Sequence, residues 1–410
     1  MRKFIIFILI AMLLFNGLIN ERELNKLDIV SCIGIDITDE GDYQVTVSVL
    51  NTKKEGSGSS EDKEQKDSNN KNIYVATNSS IQEALRSIVK SSSKRLYLAH
   101  LDIIMLSEEV TKQKDIMDIM DYFVRDYEGG NNFILTILKD KSAKEAMQIL
   151  SKNSNEFAAE IKDTILTSHK YIGNVSKNTL SDDLREILQV GQEVVINSIE
   201  LEEIKNESES KEEGKENKEE KEESTKKEES EKNYIYKLGK LVYFKDNKFG
   251  GYLEENDNRT HNILNNNIIT TVAKINDKED RIISEIISSD TSIKPQVKNG
   301  EYIVNIEQKL KGNITEVGEN VEINKEEIIN NLEEEFSELF KKYTLEYVDN
   351  CKNKYDADVI GFGNLFYRYK NKEYEKVKDK FYDEIYDNIK VNVNVEFDII
   401  NLGGVEKNWQ

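Results

Sequence analysis

Apolar and polar positions along this chain follow two periods, and the switches between them outline its elements. YQVTVSVL (43–50) alternates as a strand with one buried face should. IYVAT follows, and then Ser80-x-x-Glu83, a capping box that opens a helix with Ala84, Leu85, Ile88 and Val89 on one side. LAHLDIIMLS (98–107) reads as a buried strand, and Ile116, Ile119, Met120 and Phe123 mark an amphipathic helix over about 114–124. FILTIL (133–138) predicts another strand, and SAKEAMQIL opens the next helix. Strands alternating with helices predict a mixed α/β layer.

Farther on, YKLGKLVYFKDNKFGGYLEENDNRTHNIL reads as a β-meander, with Asp246-Asn247-Lys248 at one turn. Strands are expected near 268–275 and 281–288, with a hinge at Pro295 to Gly300. YIVNIEQKL alternates, and Asn324-x-x-Glu327 caps a long helix. Its stripe runs Ile328, Leu332, Phe336, Leu339, Phe340, Tyr343, Tyr347, Cys351, Tyr355. VIGFG breaks that helix, and a shorter one is expected to use Tyr374, Val377, Phe381 and Ile385. IKVNVNVEFDII (389–400) then alternates throughout. Ile389, Val391, Val393, Val395, Phe397 and Ile399 turn inward, and Asn392, Asn394, Glu396 and Asp398 face solvent.

Two stretches carry no apolar residue and bury nothing: 53–72 (KKEGSGSSEDKEQKDSNNKN) and 205–232 (KNESESKEEGKENKEEKEESTKKEESEK). The pattern therefore predicts an α+β protein of several domains, with mixed sheets and packed helices. A segment at 1–19 precedes an N-terminal α/β domain at 20–204, interrupted by the first polar insertion. A charged linker (205–232), a β-rich middle domain (233–300) and a C-terminal α+β domain (301–410) follow.

Residues 1–19 have the make-up of a membrane leader. Arg2 and Lys3 precede uncharged, mostly apolar Phe4 to Phe15, and the apolar stretch extends to Ile19. As a helix it would reach ~24 Å, short against a hydrocarbon core of ~30 Å. The basic residues before it place the remainder of the chain outside. Phe15 spoils the −3 position of a cut after Gly17, so the expectation is an uncleaved anchor.

Composition narrows the function classes. The chain's 57 Lys and Arg against 78 Asp and Glu give a net charge of −21, which disfavours nucleic acid as a partner. Cys32 and Cys351 read as two buried thiols, and no CxxC, HxH or HExxH spacing supports a metal site. His100 reads as a core histidine in a buried strand, and Arg125-Asp126 as a helix cap. No glycine-rich phosphate loop follows a strand and no nucleophile is set beside a base. The expectation is a protein that is not an enzyme and takes no cofactor.

Several stretches resemble the Ger(x)C family, the C subunits of nutrient germinant receptors in bacterial spores. They are RELNKLDIVSCIGID (22–36), KRLYLAHLDIIMLSEE (94–109), YFVRDYE (122–128), LVYFKDNKFGGYLEENDNRT (241–260) and DADVIGFGNLFYRYKNKEYEKVKDKF (356–381), with VNVNVEF behind the last. The resemblance implies an assembly or signalling component on the outer face of the spore inner membrane, whose partners are the membrane and the receptor's A and B membrane subunits. Family members usually carry a lipidated cysteine after a glycine; here Gly17 is kept but Leu18 stands at the cysteine position, so no lipidation is expected. Arg22, Glu23, Gly361 and Gly363 are the candidates for partner contact, although backbone freedom after the long helix is the stronger account of the two glycines. Two other classes compete with this reading. An extracytoplasmic solute-binding protein would want two similar lobes around a cleft. A membrane-anchored hydrolase would draw on acid pairs such as Asp356 and Asp358 or Glu254 and Glu255.

Overall fold

A computed structural model describes residues 26–50, 72–126, 129–204, 234–276, 280–318, 323 and 325–403. The leader, Arg22, Glu23, Asn324 and nearly all of both polar insertions lie outside them. Within them the chain is α+β, built on two sheets.

The first sheet is centred on β1 (Leu27–Ile37). Antiparallel β2 (Tyr43–Val49) and β3 (Ile73–Asn78) extend it one way. Parallel β5 (Ile103–Ser107), β6 (Ile134–Leu138) and β7 (Val195–Glu203) extend it the other way. Short β4 (Arg95–Tyr97) pairs with β1, β8 (Tyr234–Leu238) with β7, and β9 (Val242–Lys245) joins β7 to β10 (Lys248–Tyr252).

Alternation along the central strands fills two cores. Val30, Ile33 and Ile35 of β1 and Ile104 and Leu106 of β5 face α1 (Ile81–Ile88), α2 (Glu108–Gln113) and α3 (Ile116–Arg125). Cys32, Ile103, Met105, Ile134 and Leu138 face the opposite way, onto α4 (Ala143–Asn153) and α5 (Phe157–Tyr171). Each Ile or Leu so enclosed contributes about 1.5–3 kcal/mol. Ser80 caps α1 through Glu83 N, as its capping box predicts. Asp36 accepts from Ala143 N (2.7 Å) and Lys144 N (2.9 Å), tying β1 to the start of α4. α6 (Leu180–Ile187) completes this half.

The second sheet runs β11 (Thr271–Ile275), β12 (Ile282–Lys298), β13 (Glu301–Val317), β14 (Lys390–Asn401). Only the last pair is parallel. The expected middle domain, 233–300, gives strands to both sheets. α8 (Glu326–Asp349) crosses the second sheet with Leu332, Phe336, Phe340 and Tyr347 buried, and Phe336 stacks on Phe397 at 4.8 Å.

Four local expectations are corrected. The stretch expected as a hinge ends a hairpin, whose Asn299 and Gly300 both take positive φ (54° and 82°), as a two-residue turn requires. Pro295 is tolerated there because β11 has ended and β12 has a neighbour on one side only. The meander gives way at Glu255 to α7 (Glu255–Leu264), whose buried face includes Asp257, Asn258, Thr260, His261 and Asn262, so no apolar stripe announces it. The helix expected around Tyr374 to Ile385 is broken. α9 (Phe362–Tyr369) and α10 (Asn371–Tyr374) lead into short 3-10 and π turns over 378–388. His100 lies exposed on the turn between β4 and β5; the buried histidines are His169 and His261.

The charged tract between β7 and β8 starts and ends at adjacent points, because Glu203 and Tyr234 are register partners. A four-residue Gly/Ser loop in place of 205–232 should therefore close the hairpin, since closure entropy changes only as the logarithm of loop length. The expected melting temperature lies within about 2 °C of the parent chain. A larger fall in a calorimetric scan would mean that the tract packs on the body.

Candidate functional site

Gly361 and Gly363, singled out by sequence, lie at a joint between the two sheets. α8 runs through a π turn (Asn350–Lys354) into the stretch DADVIGFG, which meets the loop between α6 and β7. Asp358 organises this joint. Its buried carboxylate accepts from Gly361 N (2.9 Å), Phe362 N (2.8 Å) and Gly363 N (2.7 Å), and from the Tyr382 hydroxyl at 3.3 Å. These donors are the free N–H groups that open α9, where a carboxylate is favoured. Burial nonetheless outweighs them and pushes the acid up to about 6.

Once shaped, the loop clasps the first sheet through its backbone. Asn364 N donates to Gly191 O (2.7 Å), its side-chain amide to Val190 O (2.9 Å), and Glu193 N to Asp358 O (3.1 Å). The glycines are needed for two separate reasons. Gly361 takes φ +82°, which L side chains rarely adopt. At Gly363 a Cβ would come within 2.5 Å of the Tyr382 hydroxyl and 3.0 Å of Gly191 Cα. Beneath the joint, Val195, Leu241 and Tyr243 from the first sheet share one core with Tyr302, Val304, Phe362, Phe366 and Phe381. Glu193 accepts from Asp246 N (3.2 Å) and is pushed up to about 7 by burial. Lys245 pairs with Asp356 across the same seam.

α7 makes a second, polar contact between the sheets. Asn258 accepts from Leu241 N (3.2 Å), and Asn262 donates to Gly173 O (2.9 Å) and Val175 O (3.1 Å). His261 Nδ1 lies 2.9 Å from the Tyr347 hydroxyl, and burial pulls its imidazole down to about 4, so it is neutral. Burial also holds the Cys351 thiol well above its ordinary value, and Asp257 takes hydrogen bonds from Tyr355 and Asn350. The His261 ring is buried with both nitrogens held in hydrogen bonds, and the buried Cys351 thiol stays protonated, so both suit packing. Glu254 sits between Lys240 and Lys354, which draw it down to about 2.

Arg125 and Asp126 end α3, Arg125 pairing with Asp121, and line a cavity of about 710 Å³ with Tyr43, Ile81, Leu85 and Arg86. Arg22 and Glu23 lie outside the described residues. Gly191, Asp358 and α7 were missed as parts of one joint. The one available signal was the number of polar residues in ENDNRTHN with no turn to explain them.

Gly363→Ala should cost about 2 kcal/mol, the usual effect of forcing a group into a filled space; chemical denaturation measures it. Glu193 gives a pH dependence. Its raised pKa makes its contribution to stability full below its ordinary value near 4.5 and lost as pH rises through about 7. Glu193→Gln keeps the acceptor without the charge. It should therefore melt a few degrees above the parent at pH 7.5, and the gap should narrow as pH falls and close only below about pH 4.5.

The comparisons agree with this architecture. Residues 20–201 match the family described as "Spore germination protein N-terminal domain", and residues 239–403 match "Spore germination B3/ GerAC like, C-terminal". The chain is similar to spore germination protein KC of Bacillus subtilis (strain 168), with 23% identity across 91% of this chain and 89% of that protein. Spore germination protein B3 of the same organism is also 23% identical, across 95% of each. The fold resembles the crystal structure of the GerBC protein, with a TM-score of 0.51 at 19% identity over 90% of this chain and 97% of that one. With both family domains matched in order across the two sheets and the joint that links them, this chain belongs to the GerAC-like spore germination protein family.

Proposed function

We propose that this chain is the C subunit of a nutrient germinant receptor and serves it as an assembly or signalling component, not as an enzyme. One observation carries the reading. The family-like stretch 356–381 is used to bind two sheets and a shared aromatic core into one body, instead of lining a cleft with reactive groups. A body of that kind offers stable surfaces to other proteins. In this reading its partners are the A and B membrane subunits, on the outer face of the spore inner membrane. Phe4 to Ile19 holds the chain there, since Leu18 supplies no thiol for a lipid. Arg22 and Glu23, just beyond the leader, are the proposed contacts to a membrane partner. Gly361 and Gly363 are buried and act by fixing the loop around them.

The solute-binding alternative has the 710 Å³ cavity in its favour. That cavity lies between α1 and α3, within one half of the molecule, and not between two similar lobes.

Affinity purification from spores in mild detergent tests the proposal: two membrane subunits should accompany the chain, and its intact mass should include the leader. Deleting the gene should slow or abolish germination to one class of nutrient while leaving growth untouched. Recovery of the chain alone, together with normal germination to every nutrient in a strain lacking paralogues, would overturn the reading. Stabilisation of the purified chain by a small solute, without those partners, would favour the alternative.

A further inference from the structure

The outer edge of the second sheet is partly closed and partly open. β14 pairs with β13 on one side only. On its other side Phe397 N donates to Ser337 Oγ (3.1 Å) and Ile399 N to Glu333 Oε1 (2.8 Å), so α8 seals the C-terminal part of the edge. These bonds also show that the odd-numbered residues of β14 turn their N–H and C=O away from β13. α8 then leaves the edge, for Thr344 already reaches Gln308 of β13 at 3.0 Å. At the other end Lys352 Nζ sits on Ile389 O at 2.8 Å. Between the two seals, the outward backbone groups of Val391, Val393 and Val395 have no partner among the described residues.

Sheet edges are ordinarily blunted by a charge, a proline or a bulge. Residues 391–395 read VNVN and a final Val, with none of these, and their register against β13 is unbroken. Charge returns only at the flanks, as Lys390 and Glu396.

We propose that this edge pairs with the same edge of a second copy of the chain, antiparallel about a two-fold axis through Val393. In that register Val391 faces Val395 of the partner subunit, and Val393 faces its own counterpart. Each outward residue then exchanges both of its backbone hydrogen bonds. Lys390, paired with Glu301 in its own chain, falls opposite Glu396 of the partner subunit at both ends, and Glu396 is itself paired with Lys309 in its own chain, so the new neighbours extend existing pairs of opposite charge. Sliding the pair by one step in either direction would bring in Phe397 or Ile389, where Ser337 and Lys352 already stand. The half-buried valines of both copies, which look onto the core side of the sheet, would also shield one another. Five residues on each side make a small contact beside the ~1,200–2,000 Å² of a stable interface, so the pairing is weak in dilute solution and is best trapped.

The test is disulfide trapping with the full-length chain in detergent, using two differently tagged variants, Asn392→Cys and Asn394→Cys. The native cysteines, Cys32 and Cys351, are buried and free. Asn392 opposite Asn394 is a non-hydrogen-bonded pair with Cα atoms ~4.5 Å apart, within disulfide reach. Two copies of the same variant place their cysteines diagonally at ~7–8 Å, too far to bond. A cross-linked dimer is expected from the mixture and from neither variant alone. Adding Lys390→Glu, an exposed change that sets like charges opposite, should lower its yield by about threefold or more. No dimer in the mixture, or equal dimer from each variant alone, would overturn the proposal. Trapping of a different spore protein in intact membranes would overturn it as well and assign the edge to that partner.

Discussion

One buried carboxylate shapes the joint at which the two sheets of this molecule meet. Asp358 gathers the N–H groups of Gly361, Phe362 and Gly363, and in doing so it holds the turn from which Asn364 meets Gly191. The aromatic core beneath the joint can close only once that loop is in place, because Phe362 and Phe366 ride on the helix the carboxylate opens. Burial disfavours its ionised form, which is why its pKa is raised. Without its backbone donors, burial there would be far more costly.

The two contacts between the sheets differ in kind. The aromatic core supplies area and is tolerant of detail, whereas α7 supplies directed hydrogen bonds from Asn258 and Asn262 that fit one arrangement only. Apolar burial brings the halves together, and the asparagines fix their register. A polar helix face buried in this way is tolerated because Asn258 Oδ1 and the Asn262 NH2 find backbone partners that would otherwise lack them, although Asn262 Oδ1 has none among the described residues.

Much of the fold was legible because burial on one face leaves a period in the sequence. The stripe of Leu332, Phe336, Phe340 and Tyr347 and the alternation of β14 from Lys390 to Phe397 follow the structure, whereas YQVTVSVL has the predicted span but is buried on both faces, Thr46 and Ser48 included. Where the buried face is polar the period vanishes, and α7 was read as strand. Between Lys378 and Asn388 the chain turns by short 3-10 and π steps, and apolar residues that pack from such turns share no single helical face. The candidate site was half legible. Gly361 and Gly363 stood out by type, but what they approach is Gly191, distant in sequence, and no local pattern announces a long-range contact. His100 misled because an apolar neighbourhood in sequence, LAHLDII, is split by a turn.

The β12–β13 hairpin carries a mechanical consequence. Its seventeen-residue strands, each roughly 55 Å at the usual rise, pass through both cores of the second half. Tyr302, Val304 and Ile306 near the turn pack into the joint, while Ile282, Ile286, Leu310 and Ile314 at the far end pack under α8. The pairing is unbroken from Ser288 to the turn, and the two register shifts fall at the far end, at Ser284 and Ser288, where a strand bends more readily. One continuous ribbon therefore joins the core at the joint to the core under α8, and its length exceeds the thickness of a bilayer's hydrocarbon core.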